Sequence, residues 1–453
     1  MEQKYVRLIL EGSIPRYLLR QTGIMFVGVV LLTSFTLIDI YFIAKIDTQA
    51  LTAVSFTTTP VLLAVSFLLG IGSGITALIS NSVGSNHQRE INETIKSSLW
   101  LGGAAGLLFT LGGYIAHAWI FAGLGADDTM ISKIGEYMYL LYPGLTLLSL
   151  LIVILSIIRA YGNTSIPSQS AALIVIINAG LDPLLIFGWG FIPAFGIRGA
   201  ALATLIGLVS GLVYAFIKLR QYVSLSKYVL DVHAIFRRWN EILRIGAPIA
   251  ATNALLPLGN SFIVRLLAEQ SGKAVAAYGI GYRIDMFVIL FFTALTATLS
   301  PFIGQNRGAN NTGRIVRSIV FSMGGAVSVA LVMAGILYFA RDPIGNFFTD
   351  ESPVLSYLNE YLHIVPWGYA FNGILMLSFA ILTVSYQPLK AALLAVVHLF
   401  GFYLPLAFWF ADMAAVKGIF FAYPVSLLIA SALGVLFIKN FLFSKKLPKK
   451  INT

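Results

Sequence analysis

Twelve stretches of this chain are each long and apolar enough to cross a lipid bilayer, and together they leave little sequence over. A helix needs about 20 predominantly apolar residues to traverse the hydrocarbon core. On that basis the spans fall at 21–44, 52–80, 98–120, 130–158, 167–188, 197–217, 245–268, 274–303, 318–340, 354–384, 391–411 and 418–438. Only 11% of the residues are charged and 58% are hydrophobic, whereas a soluble domain carries about 25% charged residues. An all-α integral membrane protein is expected, without room for a large soluble domain.

The formal net charge of +11 invites a nucleic-acid reading, but the placement of the charges opposes it. With both termini on one side, 22 of the 30 Lys and Arg residues fall in the loops and tails of that side and six in the opposite loops. Arg265 and Arg283 lie within spans. Basic residues accumulate on the cytoplasmic side of membrane proteins. The expectation is a multi-pass protein of the plasma (cell inner) membrane with cytoplasmic termini, contacting membrane lipids and no nucleic acid. The absence of cysteine excludes disulfides and thiolate metal sites. The N-terminal MEQKYVRLILEGSIPRYLLRQ has no short apolar core followed by a cleavage site, so no signal peptide is expected.

The two halves of the chain resemble each other. TALISNSVGSNHQREINETIKSS (76–98) aligns with TATLSPFIGQNRGANNTGRIVRS (296–318) at an offset of 220, and GIRGAA (196–201) is echoed by AVKGIF (415–420). Each half begins and ends on the same side, so the repeats are parallel. Duplication of this kind is characteristic of secondary transporters, with cargo between the halves. The expected organisation is a six-helix lobe over 1–217, a linker over 218–244 and a second lobe with a basic tail over 245–453. Within the linker, VLDVHAIFRRWNEILR places Val232, Phe236, Trp239 and Leu243 on one helical face, as suits a helix lying on the membrane surface.

Only three acidic residues fall well inside spans: Asp39, Asp182 and Asp285. A charge at the bilayer centre costs at least ~2.5–3.5 kcal/mol on insertion scales, so such residues mark functional sites by default. Asp39 and Asp182 sit at similar depth in the first lobe, and neither has a basic residue near it in its span. Asn178 precedes Asp182 by four residues and shares its helix face. Desolvation favours the neutral form of a carboxyl group, so an unpaired pair can hold H⁺ or a small cation in one state and release it in another. Pro183 removes a backbone donor beside Asp182, so a structural partnership between them stands as the alternative. Arg265 and Glu269 have the spacing of a structural pair, and the five histidines lack metal-ligand spacing. No hydrolytic, phosphate-cradling or metal motif is present.

Four stretches, AVAAYGIGYRI (274–284), GQNRGANN (304–311), INAGLDPLLIFG (177–188) and GIRGAALAT (196–204), together resemble the multidrug and toxic compound extrusion (MATE) transporters. The resemblance runs over nearly the whole chain. It implies twelve helices in two pseudo-symmetric six-helix lobes around a central cleft, and export of organic compounds in exchange for H⁺ or Na⁺. The acidic pair with its preceding Asn is similar to the DinF-like branch. By that likeness Asp39, Asp182 and Asn178 form a cation site in the first lobe, joined by Tyr137 and Thr204. The acidic residues that the NorM-like branch carries in helices 7 and 10 have no counterpart here. The Pro that family members carry early in helix 1 is also missing, leaving Gly23 as the flexible position.

The expected function is a cation-coupled exporter of small amphipathic, cationic organic compounds, with H⁺ favoured over Na⁺, no other cofactor and no enzymatic activity, acting as a monomer. The alternative is a flippase for lipid-linked precursors on a related scaffold. That cargo calls for several cationic residues in the cleft, and only Arg265 and Arg283 are candidates.

Overall fold

Capping side chains open several of the long helices. Asp47 accepts a hydrogen bond from the Ala50 amide at 2.5 Å at the start of α3 (Thr48–Gly84). Asp127 accepts from the Met130 amide at 2.8 Å before α5 (Asp128–Ala160). Such caps satisfy amides that the helix itself leaves unpaired. The computed structural model describes residues 2–190, 192–222 and 231–443, nearly all of them helical. The first half comprises α1 (Glu2–Leu10), α2 (Ile14–Ala44), α3, α4 (Gln88–Gly123), α5, α6 (Ser165–Phe187) and α7 (Ile197–Leu219). The second comprises α8 (Val232–Gln270), α9 (Gly272–Gly308), α10 (Thr312–Phe339), the short α11 (Arg341–Phe348), α12 (Ser352–Ile364) and α13 (Tyr369–Val384). It ends with α14 (Pro388–Val396), a π-helical turn (Val397–Tyr403) and α15 (Leu404–Phe443).

Eleven helical stretches among the described residues are long and apolar enough to cross a membrane. The last of these, Pro388–Asn440, supplies two crossings, because α15 breaks at Ala414 and Ala415. After the break the chain runs back antiparallel to itself: the Tyr403 and Tyr423 rings lie 5.5 Å apart, and His398 meets Ser426 at 3.4 Å. All twelve expected spans thus have helical counterparts. The predicted surface helix is not separate from the seventh span; both belong to the 39-residue α8. Trp239 faces inward and donates to the Ser97 carbonyl at 2.9 Å, whereas Val232 and Phe236 stay exposed. Residues 223–230 of the expected linker lie outside the described residues.

The backbone repeats itself between the halves. Helices α3 and α9 both have 37 residues and begin 224 positions apart. At that offset left-handed Asn86 (φ 57) matches Asn310 (φ 58), and left-handed Gly162 matches Tyr386. The sequence alignment at an offset of 220 is therefore displaced by about one helical turn, which keeps residues on the same face. The second echo holds as aligned. Gly196 and Ala415 share one unusual conformation, with φ 58 and 48 and ψ −133 and −131.

The two lobes, α2–α7 and α8–α15, meet closely at one end, the end that carries α1. There a Cβ on Gly84 would collide with the Gln305 carbonyl, and one on Gly308 with the Asn81 carbonyl. Higher up, Gly70 and Gly74 of α3 press against the backbone of Gly246 and Ile242 in α8. These small residues let the backbones of the two lobes touch. The central cleft lies beyond this seal.

Candidate cation site in the first lobe

A stripe of small residues sets how closely α6 and α7 approach. Gly199, Ala203, Gly207, Gly211 and Ala215 recur every fourth position on α7 and all are buried. A Cβ on Gly199 would strike the Leu185 carbonyl, and Ser170 of α6 donates to the Gly211 carbonyl at 3.2 Å. This contact brings Thr204 against Asn178, whose amide nitrogen lies 3.4 Å from the threonine hydroxyl and 3.3 Å from Asp182 Oδ1. Helix α6 continues through Pro183 to Phe187.

The other side of α6 is fastened to α2. Ser168 donates to the Ile24 carbonyl at 2.8 Å, and Thr164 donates to the Gln21 side chain at 2.7 Å. Gly28 makes room for Ser168. Asp39, further along α2, thereby comes within electrostatic reach of Asp182, and Tyr137 of α5 is within reach of both. The structure so gathers all five expected residues. Asp39, Tyr137, Asn178 and Asp182 are buried, the last two completely.

The polar atoms of this cluster are incompletely satisfied. Asp39 Oδ1, Asp182 Oδ2 and Asn178 Oδ1 are buried without a hydrogen-bond partner. Buried polar groups are ordinarily paired, and an unpaired buried carboxylate is costly. Three such oxygens with a threonine hydroxyl and a phenol nearby form a donor set suited to a proton or a small hard cation. No Lys or Arg is ion-paired with either carboxylate among the described residues.

Other polar residues have local explanations. Arg265 and Glu269 form the expected pair at 3.4 Å on an exposed face. His117 is buried against Tyr142, 2.8 Å from its hydroxyl. What the sequence did not reveal is the surrounding of Asp285: its carboxylate accepts from Tyr361 and Tyr369 of α12 and α13. The eight-residue spacing of these tyrosines, about two helical turns, was the available signal.

Twelve membrane-crossing stretches in two parallel-repeat lobes are the architecture of a membrane transporter. The chain belongs to the MatE family, whose model matches residues 25–184 and 248–409. It is 31% identical over 426 residues to a protein of Shewanella oneidensis named FAD transporter, covering 93% of both chains. It is 25% identical over 420 residues to the multidrug export protein MepA of Staphylococcus aureus, covering 90% of this chain and 89% of that one. The crystal structure of the Vibrio cholerae MATE transporter VcmN in the bent form superposes with a TM-score of 0.90 at 28% identity, covering 95% of this chain and 98% of that one.

Proposed function

We propose that this transporter exports organic compounds in exchange for an inward-moving cation, H⁺ in preference to Na⁺, bound at Asp39 and Asp182 as the DinF-like resemblance implies. The observation that carries this reading is the set of three buried, unpartnered oxygens on Asp39, Asp182 and Asn178. Binding a proton or ion there removes the cost of the unpaired charge, and its release to the opposite side restores that cost, so the ion biases which conformation is populated. Tyr137 and Thr204 orient the pair. The membrane is the plasma (inner) membrane, with cytoplasmic termini.

The cargo reading follows the relatives. One is named for multidrug export and one for FAD, so a cationic dye and a flavin are both direct probes. The flippase alternative finds less support, since Arg265, one of its two candidate cations, is spent on Glu269 at the exposed end of α8.

The test is efflux of ethidium and of FAD from proteoliposomes under an imposed pH or Na⁺ gradient, comparing wild type with Asp39→Asn and Asp182→Asn. Gradient-driven transport that both folded variants lose supports the site, and the effective gradient names the ion. Variants that transport as well as wild type would sink the assignment.

A further inference from the structure

The second lobe carries a groove whose two parts differ in chemistry. Its apolar part, a cavity of about 720 Å³, is walled by Trp367 at the turn between α12 and α13, Phe371 of α13, and Phe410, Phe421 and Leu428 of α15. Beside it lies a polar recess of about 340 Å³, lined by Arg341 and Asp342 of α11, Asn359 and Glu360 of α12, and Lys417 of α15. His363, Ile364 and Lys417 border both, so the two spaces are continuous. The crossing that supplies Trp367 ends in the seal at Val384, which places the groove toward the opposite end of the molecule.

Helix geometry turns this groove to the bilayer. Tyr423 and Ser426 of α15 face inward, toward Tyr403 and His398. At about 100° per residue, Phe421 and Leu428 fall on the other side of that helix. Both are about half exposed, as is Trp367, whose ring lies 6.2 Å from Tyr338 of α10. Exposed rings are ordinary against lipid chains, but the charges beside them are not. Arg341, Lys417, Asp342 and Glu360 form no ion pair among the described residues. Arg341 lies over the Tyr338 ring at 5.1 Å, with Nη1 3.2 Å from His363 Nδ1. Asp342 accepts from the Asn359 amide at 3.0 Å, while Asn359 Oδ1 is buried without a donor. Lys417 borders the apolar part as well as the recess, whereas both carboxylates line the recess alone.

We propose that this groove binds one phospholipid with a phosphoethanolamine headgroup, taken from the leaflet away from the seal. The order of chemistry along the groove is the order along such a lipid: apolar chain, phosphate, ammonium. One acyl chain lies along Trp367, Phe371 and Phe421, the phosphate meets Lys417 and Arg341, and the ammonium meets Glu360 and Asp342. Two cations and two carboxylates match a zwitterion, and the carboxylates oppose an acidic headgroup. A primary ammonium brings three donors to a recess rich in acceptors, whereas a quaternary ammonium brings none. The bound lipid bridges α11, α12 and α15. This assignment goes beyond the coupling site and rests only on the chain's crossing a membrane.

The experiment is native mass spectrometry of the full-length protein in detergent, titrated with phosphatidylethanolamine, phosphatidylcholine and phosphatidylglycerol of identical acyl chains. Wild type is expected to hold one phosphatidylethanolamine about tenfold more tightly than either of the others, the gain of about one charge-assisted contact. Lys417→Gln is expected to weaken both zwitterionic lipids about tenfold. Glu360→Gln is expected to leave phosphatidylcholine unchanged and to bring phosphatidylethanolamine down to its level. Neither side chain makes an ion pair among the described residues, so both variants keep the fold. Equal binding of the three lipids, tightest binding of phosphatidylglycerol, or affinities that neither variant moves each overturn the proposal. Free phosphoethanolamine is the control for the apolar part: if it binds as tightly as the lipid, the groove holds no chain and the proposal fails. Binding is read without gradient or cargo, so its failure and the failure of the efflux test are separate results.

Discussion

Asn81 and Gln305 occupy the same place in the two halves of the chain, and each reaches across to the last carbonyl of a helix in the other lobe. Asn81 donates to Val384 at the end of α13 at 3.2 Å, and Gln305 donates to Ala160 at the end of α5 at 2.8 Å. All four residues obey the offset of 224. Helix ends leave carbonyls without intrahelical partners, so each lobe closes the end of its neighbour. These bonds tie the two lobes together at this end of the molecule, the seal between them.

Gln305→Leu removes one of these bonds and leaves the Ala160 carbonyl unpaired. A buried unmet acceptor costs about 1–3 kcal/mol, and each 1.4 kcal/mol is tenfold in population. The chain contains no cysteine, so a single Ser85→Cys reports access at the seal. Its alkylation by a water-soluble maleimide is expected to quicken about tenfold in the Gln305→Leu background. An unchanged rate means the bond does not hold the seal.

Gly84 and Gly308 leave no space for a side chain, since the obstructing atoms are backbone carbonyls that cannot rotate away. Gly84→Ala is expected to hold the lobes apart at the seal and to reduce ethidium efflux about five- to a hundredfold, in line with a clash costing about 1–3 kcal/mol. Fluorescence transfer between labels placed at the inner ends of α3 and α9 checks the separation directly.

Gly23 presents the opposite case. A Cβ there meets nothing within 4 Å, so packing does not require glycine, although alanine stabilises an exposed helix interior by about 1 kcal/mol. Gly23→Ala is expected to raise the thermal midpoint and slow efflux, because α2 has no interior proline to bend on. Equal transport at higher stability would show that α2 works without flexing there.

Most of the architecture is legible along the chain because bilayer-crossing is a local property. Length and apolarity alone place the twelve spans, and the spacing of Asn178 before Asp182 shows a shared helix face. What was not legible depends on contacts between distant segments. The 220 alignment slipped by about a turn because a helix repeats its face every three to four residues, so a displaced register still matches small and polar positions. The two tyrosines that bond Asp285 come from helices more than 70 positions away, and the π-helical turn in VHLFGFY follows no periodicity that apolar residues record. Arg238 likewise reads as a solvated charge beside an apolar stripe, yet it is buried.

Thr204 tests the first-lobe site without removing a charge. Its hydroxyl lies 3.4 Å from the Asn178 amide, and Thr204→Val keeps the shape while deleting the oxygen. The apparent affinity for the driving cation is expected to fall about five- to thirtyfold, a loss of roughly 1–2 kcal/mol for one neutral polar contact, with the maximal rate little changed. Efflux measured against a series of gradient strengths separates the two. A drop in maximal rate with unchanged affinity assigns Thr204 to helix packing instead.

Arg238 joins the start of α8 to α4, and its removal has a distinctive signature. The guanidinium meets Glu93 at 3.0 Å and Glu241 at 2.7 Å, with side-chain exposures of 10%, 14% and 14%. Breaking a buried pair by removing one partner costs about 3–5 kcal/mol, whereas replacing the whole group with apolar or neutral residues is often harmless. Arg237 and Arg89 also reach Glu93, at 3.5 and 2.9 Å, which softens the loss toward the lower end of that range. Arg238→Met is therefore expected to lower the thermal midpoint by several degrees, and adding Glu93→Gln and Glu241→Gln is expected to restore most of it. If the triple variant is less stable than the single one, the three charges act as a net stabilising network rather than as mutual compensation for burial.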